Sequence, residues 1–186
     1  MRIEAGEFLK RHAATWIARQ AAQFPVVNVH VAEIPASLER VWAVLPLQKH
    51  LAPRWHWRAL FGIRGAMGKL FRWDPGMEWH PEQPLAPGSY YAFFRIEHAE
   101  AQREVGMSVE NELTRALMAW VLEPNAAGTR LFNVTCALFK GRRGRFYWRL
   151  IRPFHNALIE DSLGSIRREV QSALSGGLER ETGRNI

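Results

Sequence analysis

The sequence contains one cysteine, Cys136, only four lysines among its 25 basic residues, and no apolar run near the roughly 20 residues that a membrane-spanning helix needs. A single cysteine excludes an internal disulfide framework and any Cys-rich zinc site. The first ten residues mix Arg2, Glu4, Glu7 and Lys10 with small side chains and lack the apolar core of a secretory leader, so a cytoplasmic, reduced protein is expected. Seven histidines, at 12, 30, 50, 56, 80, 98 and 155, never fall into H-x-x-x-H or H-E-x-x-H spacing, and no metal is expected. Gly62, Gly65 and Gly68 do not reproduce a dinucleotide fingerprint, and Ser108 and Cys136 lack a nucleophile motif such as G-x-S-x-G. No cofactor and no catalytic residue are therefore assigned.

What the chain does have is bulk. Its 186 residues are 47% hydrophobic, enough for one domain with a substantial core, and include eight tryptophans. A net charge of +7 biases it toward anionic partners. Charge alone does not specify a nucleic acid, and none is expected as a specific partner.

Apolar residues at Phe8, Leu9, Ala13, Trp16, Ile17, Ala21 and Phe24 predict one amphipathic helix from Glu4 to Phe24, packed on the domain, on a second subunit, or on a membrane surface. Pro25 stops it. Val26 to Ile34 reads as a strand, with Val27, Val29 and Val31 on one face and Asn28 and His30 on the other. Ser37 is the N-cap of a short helix that Pro46 ends. His50 to Trp73 is dense in aromatics and helical in spacing, with glycines expected to interrupt it, and a Pro- and Gly-rich crossing follows.

After Gly88 the period becomes two. Ser89 to His98, Glu104 to Leu113, Arg115 to Leu122 and Thr129 to Phe139 are strand candidates joined by short links, which predicts an antiparallel meander. Several are apolar on both faces, so the inward parity stays open. From Gly144, a stripe of Phe154, Leu158, Ile159, Leu163, Ile166, Val170 and Leu174 predicts a long helix lying on that sheet, ended by Gly176 and Gly177. The fold class is α+β: a helix-grip sheet wrapped around a long C-terminal helix, with an extra N-terminal helix. The expected organisation is residues 1–24 as that helix, 25–177 as a ligand-binding domain and 178–186 as a tail.

The run Pro35-Ala36-Ser37-Leu38-Glu39-Arg40-Val41-Trp42 resembles the start of the first helix in START/SRPBCC (Bet v 1-like) proteins. Residues 58–74 and 144–159, with Gly144, Arg145, Tyr147, Trp148, Pro153, Phe154 and His155, resemble an uncharacterised bacterial branch of that superfamily, also found fused to short-chain-dehydrogenase-like NAD(P)-binding proteins. The chain has no such nucleotide-binding domain. The resemblance implies a fold and an internal cavity, without an established activity.

The expected function is binding of a small hydrophobic or amphipathic molecule, lined by Trp73, Tyr91, Phe93, Arg95, Met107, Met118, Trp120, Asn133, Tyr147 and His155, with Arg95 or Asn133 holding a polar head group. Two alternatives stand beside it. One is cyclase- or dehydratase-like chemistry on a polyketide-type substrate, using Glu97, Glu110 or His155; the other is a membrane-peripheral protein using the N-terminal helix and the basic run from Lys140 to Arg152. Oligomeric state is left open, a dimer included.

Overall fold

The computed structural model describes residues 1–73 and 78–182, with side chains described up to residue 173. Seven strands form one antiparallel sheet: β1 (Arg2–Ile3), β2 (Val26–Ile34), β3 (Tyr90–Tyr91), β4 (Phe94–Glu100), β5 (Glu104–Glu110), β6 (Thr114–Asn125) and β7 (Gly128–Phe139). Their order across the sheet is β1-β2-β7-β6-β5-β4-β3. Five α-helices accompany them: α1 (Ala5–Arg11), α2 (Trp16–Ala21), α3 (Leu38–Val44), α4 (Trp55–Leu70) and α5 (Gly141–Thr182). This is the expected α+β helix-grip architecture, with α5 lying across the sheet.

The strand Val26–Ile34 and its alternation match the sequence expectation. Val29 and Val31 join Leu117, Ala119, Val121, Phe132, Val134 and Cys136 in a core against Phe8, Ile17, Ala21 and Phe24. On the opposite face, Met107, Met118, Trp120 and Leu131 pack with Val41 and Leu45 of α3 and with Ile159, Leu163, Ile166 and Val170 of α5. Helices thus cover both faces of the central strands, which is why those strands are apolar on both sides. The parity left open by the sequence is settled: even-numbered positions of β6 face α5, and even-numbered positions of β7 face the N-terminal helices.

Four expectations need correction. The N-terminal segment is not one helix: it breaks at residues 12–15, where the Thr15 side chain caps α2 by accepting from the Ala18 amide and Glu104 accepts from the Trp16 and Ile17 amides. The break lets both short helices follow the twisted sheet. Ser89 to His98 is not one strand either, because Ala92, at φ 55, turns the chain back so that Tyr91 pairs with Phe94. The glycines do not interrupt α4, which is continuous over 16 residues. Finally, α5 begins at Gly141 and runs past Gly176 and Gly177 to Thr182, and Phe154 of its expected buried stripe is 53% exposed. Leu174 lies outside the residues with described side chains.

Candidate functional site

Cross-strand register arranges the α5-facing side of the sheet in rows. One row runs His30, Asn133, Trp120 and Val105; the next runs Asn28, Thr135, Met118 and Met107. Each row passes from polar at the β2–β7 end to apolar at the β5 end. Asn28, His30 and Asn133 are all buried, at 3%, 1% and 2% exposure. Buried polar groups are ordinarily hydrogen-bonded, because an unmet donor or acceptor costs about 1–3 kcal/mol. Here several are not. Asn28 Nδ2 and Trp120 Nε1 have no hydrogen-bond partner among the described residues, and the ring nitrogens of His30, His155 Nδ1 and Asn156 Oδ1 lack one of good geometry, although Asn156 lies close enough to act on both imidazoles.

His155 and Asn156 reach this row from α5. The His155 ring meets Trp148 edge-on at 5.4 Å, and Trp148 stacks on Phe139 at 4.7 Å, fixing the first turns of α5 against the end of β7. Burial lowers the His155 imidazole to about 4, and the neighbouring His30 pushes it in the same direction. Burial likewise lowers His30, against the pull of Glu160, whose carboxylate lies 3.7 Å from Nδ1. Both rings are therefore neutral at physiological pH, each able to donate at one nitrogen and accept at the other.

A groove of about 720 Å3 opens beside this cluster. Val26, Phe139 and Trp148 supply apolar walls, Arg145, Arg149 and Arg152 supply cations, and Asn156 belongs both to the groove and to the surroundings of His30 and His155. A second groove of about 550 Å3 runs under α4, between Phe61, Trp79 and Phe93, with Arg58 and Lys69 along it.

The residues singled out from sequence fall into separate places. Tyr91, Met107, Met118 and Trp120 come together in the α5-facing core, where Tyr91 meets Trp120 edge-on at 4.9 Å and donates its hydroxyl to Leu47 O. Asn133 adjoins Trp120 through the register and accepts from Thr135 Oγ1 at 3.4 Å. Phe93 lines the second groove. Trp73 and Tyr147 sit together at the α4–α5 seam, their rings 6.4 Å apart, and Arg64 Nε donates to Tyr147 Oη. Arg95 points away from the interior, 58% exposed beside Glu97, because Ile96 takes the inward position on β4. It cannot hold a head group inside.

Glu97 and Glu110 are engaged with Ser108 and Lys140 on the surface. Sequence reasoning missed Asn28, His30 and Asn156. The signal for the first two was present, since they alternate with three valines, but a polar strand face reads by default as a wet one.

No helix among the described residues is long and apolar enough to cross a membrane. A comparison with curated proteins finds no match. Among solved structures, the chain is similar to a conserved protein from Geobacillus kaustophilus at 14% identity and TM-score 0.51, covering 80% of this chain and 97% of that one. It is similar also to an uncharacterised protein from Rhizobium leguminosarum (10% identity, TM-score 0.51, 79% and 95% covered) and to Ms6760 from Mycobacterium smegmatis (11%, 0.51, 79% and 92%). At such identities the likeness concerns the fold. The family model described as "Protein of unknown function (DUF2867)" matches residues 20–162, a span that takes in β2, the meander and the first half of α5, and the chain belongs to that family.

Proposed function

We propose that the protein binds a small amphipathic molecule, its anionic head held by Arg145, Arg149 and Arg152 and its apolar body against Trp148, Phe139 and Val26. The observation that carries this reading is an arginine-rimmed groove of about 720 Å3 whose wall includes Asn156, the residue through which it adjoins the buried imidazoles of His30 and His155. Guanidinium forks match carboxylate and phosphate oxygens, and the volume is ordinary for a small-ligand site. The neutral imidazoles would add directional hydrogen bonds to a polar atom carried deeper on the ligand.

In finer terms we read the chain as a START/SRPBCC-type member. Its favoured ligand position lies toward β2 and β7, away from the centre where Met107, Met118 and Trp120 pack on α5. A reaction on a polyketide-type chain is the second reading, for which the neutral imidazoles of His30 and His155 are the available proton acceptors, weakened because burial lowers both. The buried single Cys136 suits a reducing compartment such as the cytoplasm.

The test is calorimetric titration with dodecanoate, dodecyl phosphate and dodecanol, after native mass spectrometry of gently purified protein to identify anything bound. The two anions should bind about tenfold or more tightly than the alcohol, and the Arg149→Ala/Arg152→Ala variant should erase that difference. Equal binding of all three, or a variant that keeps the preference, would overturn the proposal.

A further inference from the structure

We propose that the outward face of α4 and of the first half of α5 docks on an anionic membrane surface. This goes beyond the ligand reading and does not rest on it. On α4, Leu60, Ile63, Met67 and Leu70 recur at helical spacing and are 40%, 58%, 41% and 76% exposed. On α5, Phe146, Leu150 and Phe154 recur every fourth residue at 71%, 60% and 53%. A helix on a globular protein normally turns such a stripe inward. Here the inward faces are already used: α4 directs Phe61, Gly65 and Lys69 to the groove shared with Phe93, and α5 directs Ile159, Leu163 and Ile166 to the core.

The two stripes form one surface. Trp57 Nε1 donates to Asp161 at 2.8 Å and Arg64 Nε to Tyr147 Oη at 3.0 Å, so the helices run in opposite directions and are tied by side chains at two points. For an antiparallel pair joined along that seam, the rows of Ile63 and of Leu150 both fall on the side away from the sheet.

Charge identifies the occupant. Residues 51–73 and 140–159 hold eleven of the 25 basic residues and none of the 18 acidic ones, leaving the rest of the chain net acidic. Arg142, Arg143, Arg145, Arg149 and Arg152 have no acidic partner among the described residues. Large apolar side chains beside such cations, with Arg142 and Arg143 outside the groove and Arg145, Arg149 and Arg152 at its rim, suit the headgroup region of an anionic bilayer, which takes the former into its acyl boundary and the latter among its phosphates. A second copy fits poorly, since a two-fold contact would oppose cations to cations. A nucleic acid would leave the aliphatic rows of Ile63, Met67 and Leu150 uncovered. The N-terminal helices, for which the sequence left a membrane surface as one alternative to packing on the domain, have their apolar faces committed to the sheet.

The experiment is co-sedimentation of the full chain with phosphatidylcholine vesicles, with and without phosphatidylglycerol, at low and high salt. Variants Ile63→Glu and Leu150→Glu are compared with Arg103→Ala, which makes the same change in net charge in the turn between β4 and β5, outside both helices. Wild type should bind the anionic vesicles, less so as salt rises, and each Glu variant should weaken binding about tenfold while R103A does not. Should a Glu variant lower the melting temperature, Ile63→Ser and Leu150→Ser replace it. No binding to anionic vesicles at low salt would overturn the proposal. So would Glu and Ser variants that bind like wild type, a concentration-dependent dimer that I63E abolishes, or nucleic-acid binding lost in the same variants without vesicle binding.

Discussion

Gly106 lies in β5 directly beneath the Trp16 indole, so that a methyl group added there would overlap the ring carbons Cε3 and Cζ3. The constraint is contact rather than backbone conformation, and it holds the start of α2 flat on the sheet. Gly106→Ala should destabilise the chain by about 1–3 kcal/mol, the usual range for overpacking. Chemical denaturation measures this, and the double variant with Trp16→Ala should lose less than the two single losses added together. Strict additivity would show that the two sites do not press on each other.

At the level of elements, α2 is too short to be stable by itself and depends on what receives its amides. Glu104 supplies that from β5: its carboxylate, 1% exposed, accepts from Trp16 N at 2.7 Å and Ile17 N at 2.9 Å. His98 Nε2 lies 3.8 Å away. Two charge-assisted bonds at a helix N-terminus make Glu104→Ala costly, by about 3 kcal/mol or more, and Glu104→Gln should recover part of it. Thermal melts of both variants would check this, and a loss in Glu104→Gln equal to that in Glu104→Ala would contradict it. The lesson for α5 is similar in kind. Its first turns are held by Trp148 on Phe139, and Gly144 is needed because a Cβ there would strike the Leu113 carbonyl.

For the molecule as a whole, buried histidines tie stability to pH. His50, fully buried and bonded through Nδ1 to Ser165 Oγ at 2.9 Å, is lowered to about 4 by burial, with Lys49 adding to the effect. His155 is lowered to about 4 and His30 in the same direction. The unfolded imidazoles titrate near 6.5, so below that pH the unfolded chain binds protons that the folded chain refuses. Stability from these groups is complete above about 6.5 and is lost as pH falls toward about 4, on the order of 3 kcal/mol for each of His50 and His155. Melting temperature followed across that window should fall, and His155→Gln should flatten the fall. A melting temperature indifferent to pH there would refute the assignment.

Local pattern was enough to set the limits of β2, since Pro25 and Pro35 bracket nine residues that alternate from Val27 to Val31, and to set the Ser37 cap, the meander and the apolar row from Ile159 to Val170. Each depends on neighbours within a turn or a strand. Of the candidate site, Asn133 and His155 were legible by residue type, whereas Asn28, His30 and Asn156 were not, because what makes them a cluster is register between β2 and β7 and the rotation of α5 above them. Arg95 faces outward for the same reason, since one residue of strand parity separates an interior position from the surface. The hairpin at Ala92, the break between α1 and α2, and the exposure of the α4 and α5 stripes were likewise decided in three dimensions. A sequence states which residues share a face; what covers that face is a matter of contacts between distant segments, and no local period encodes it.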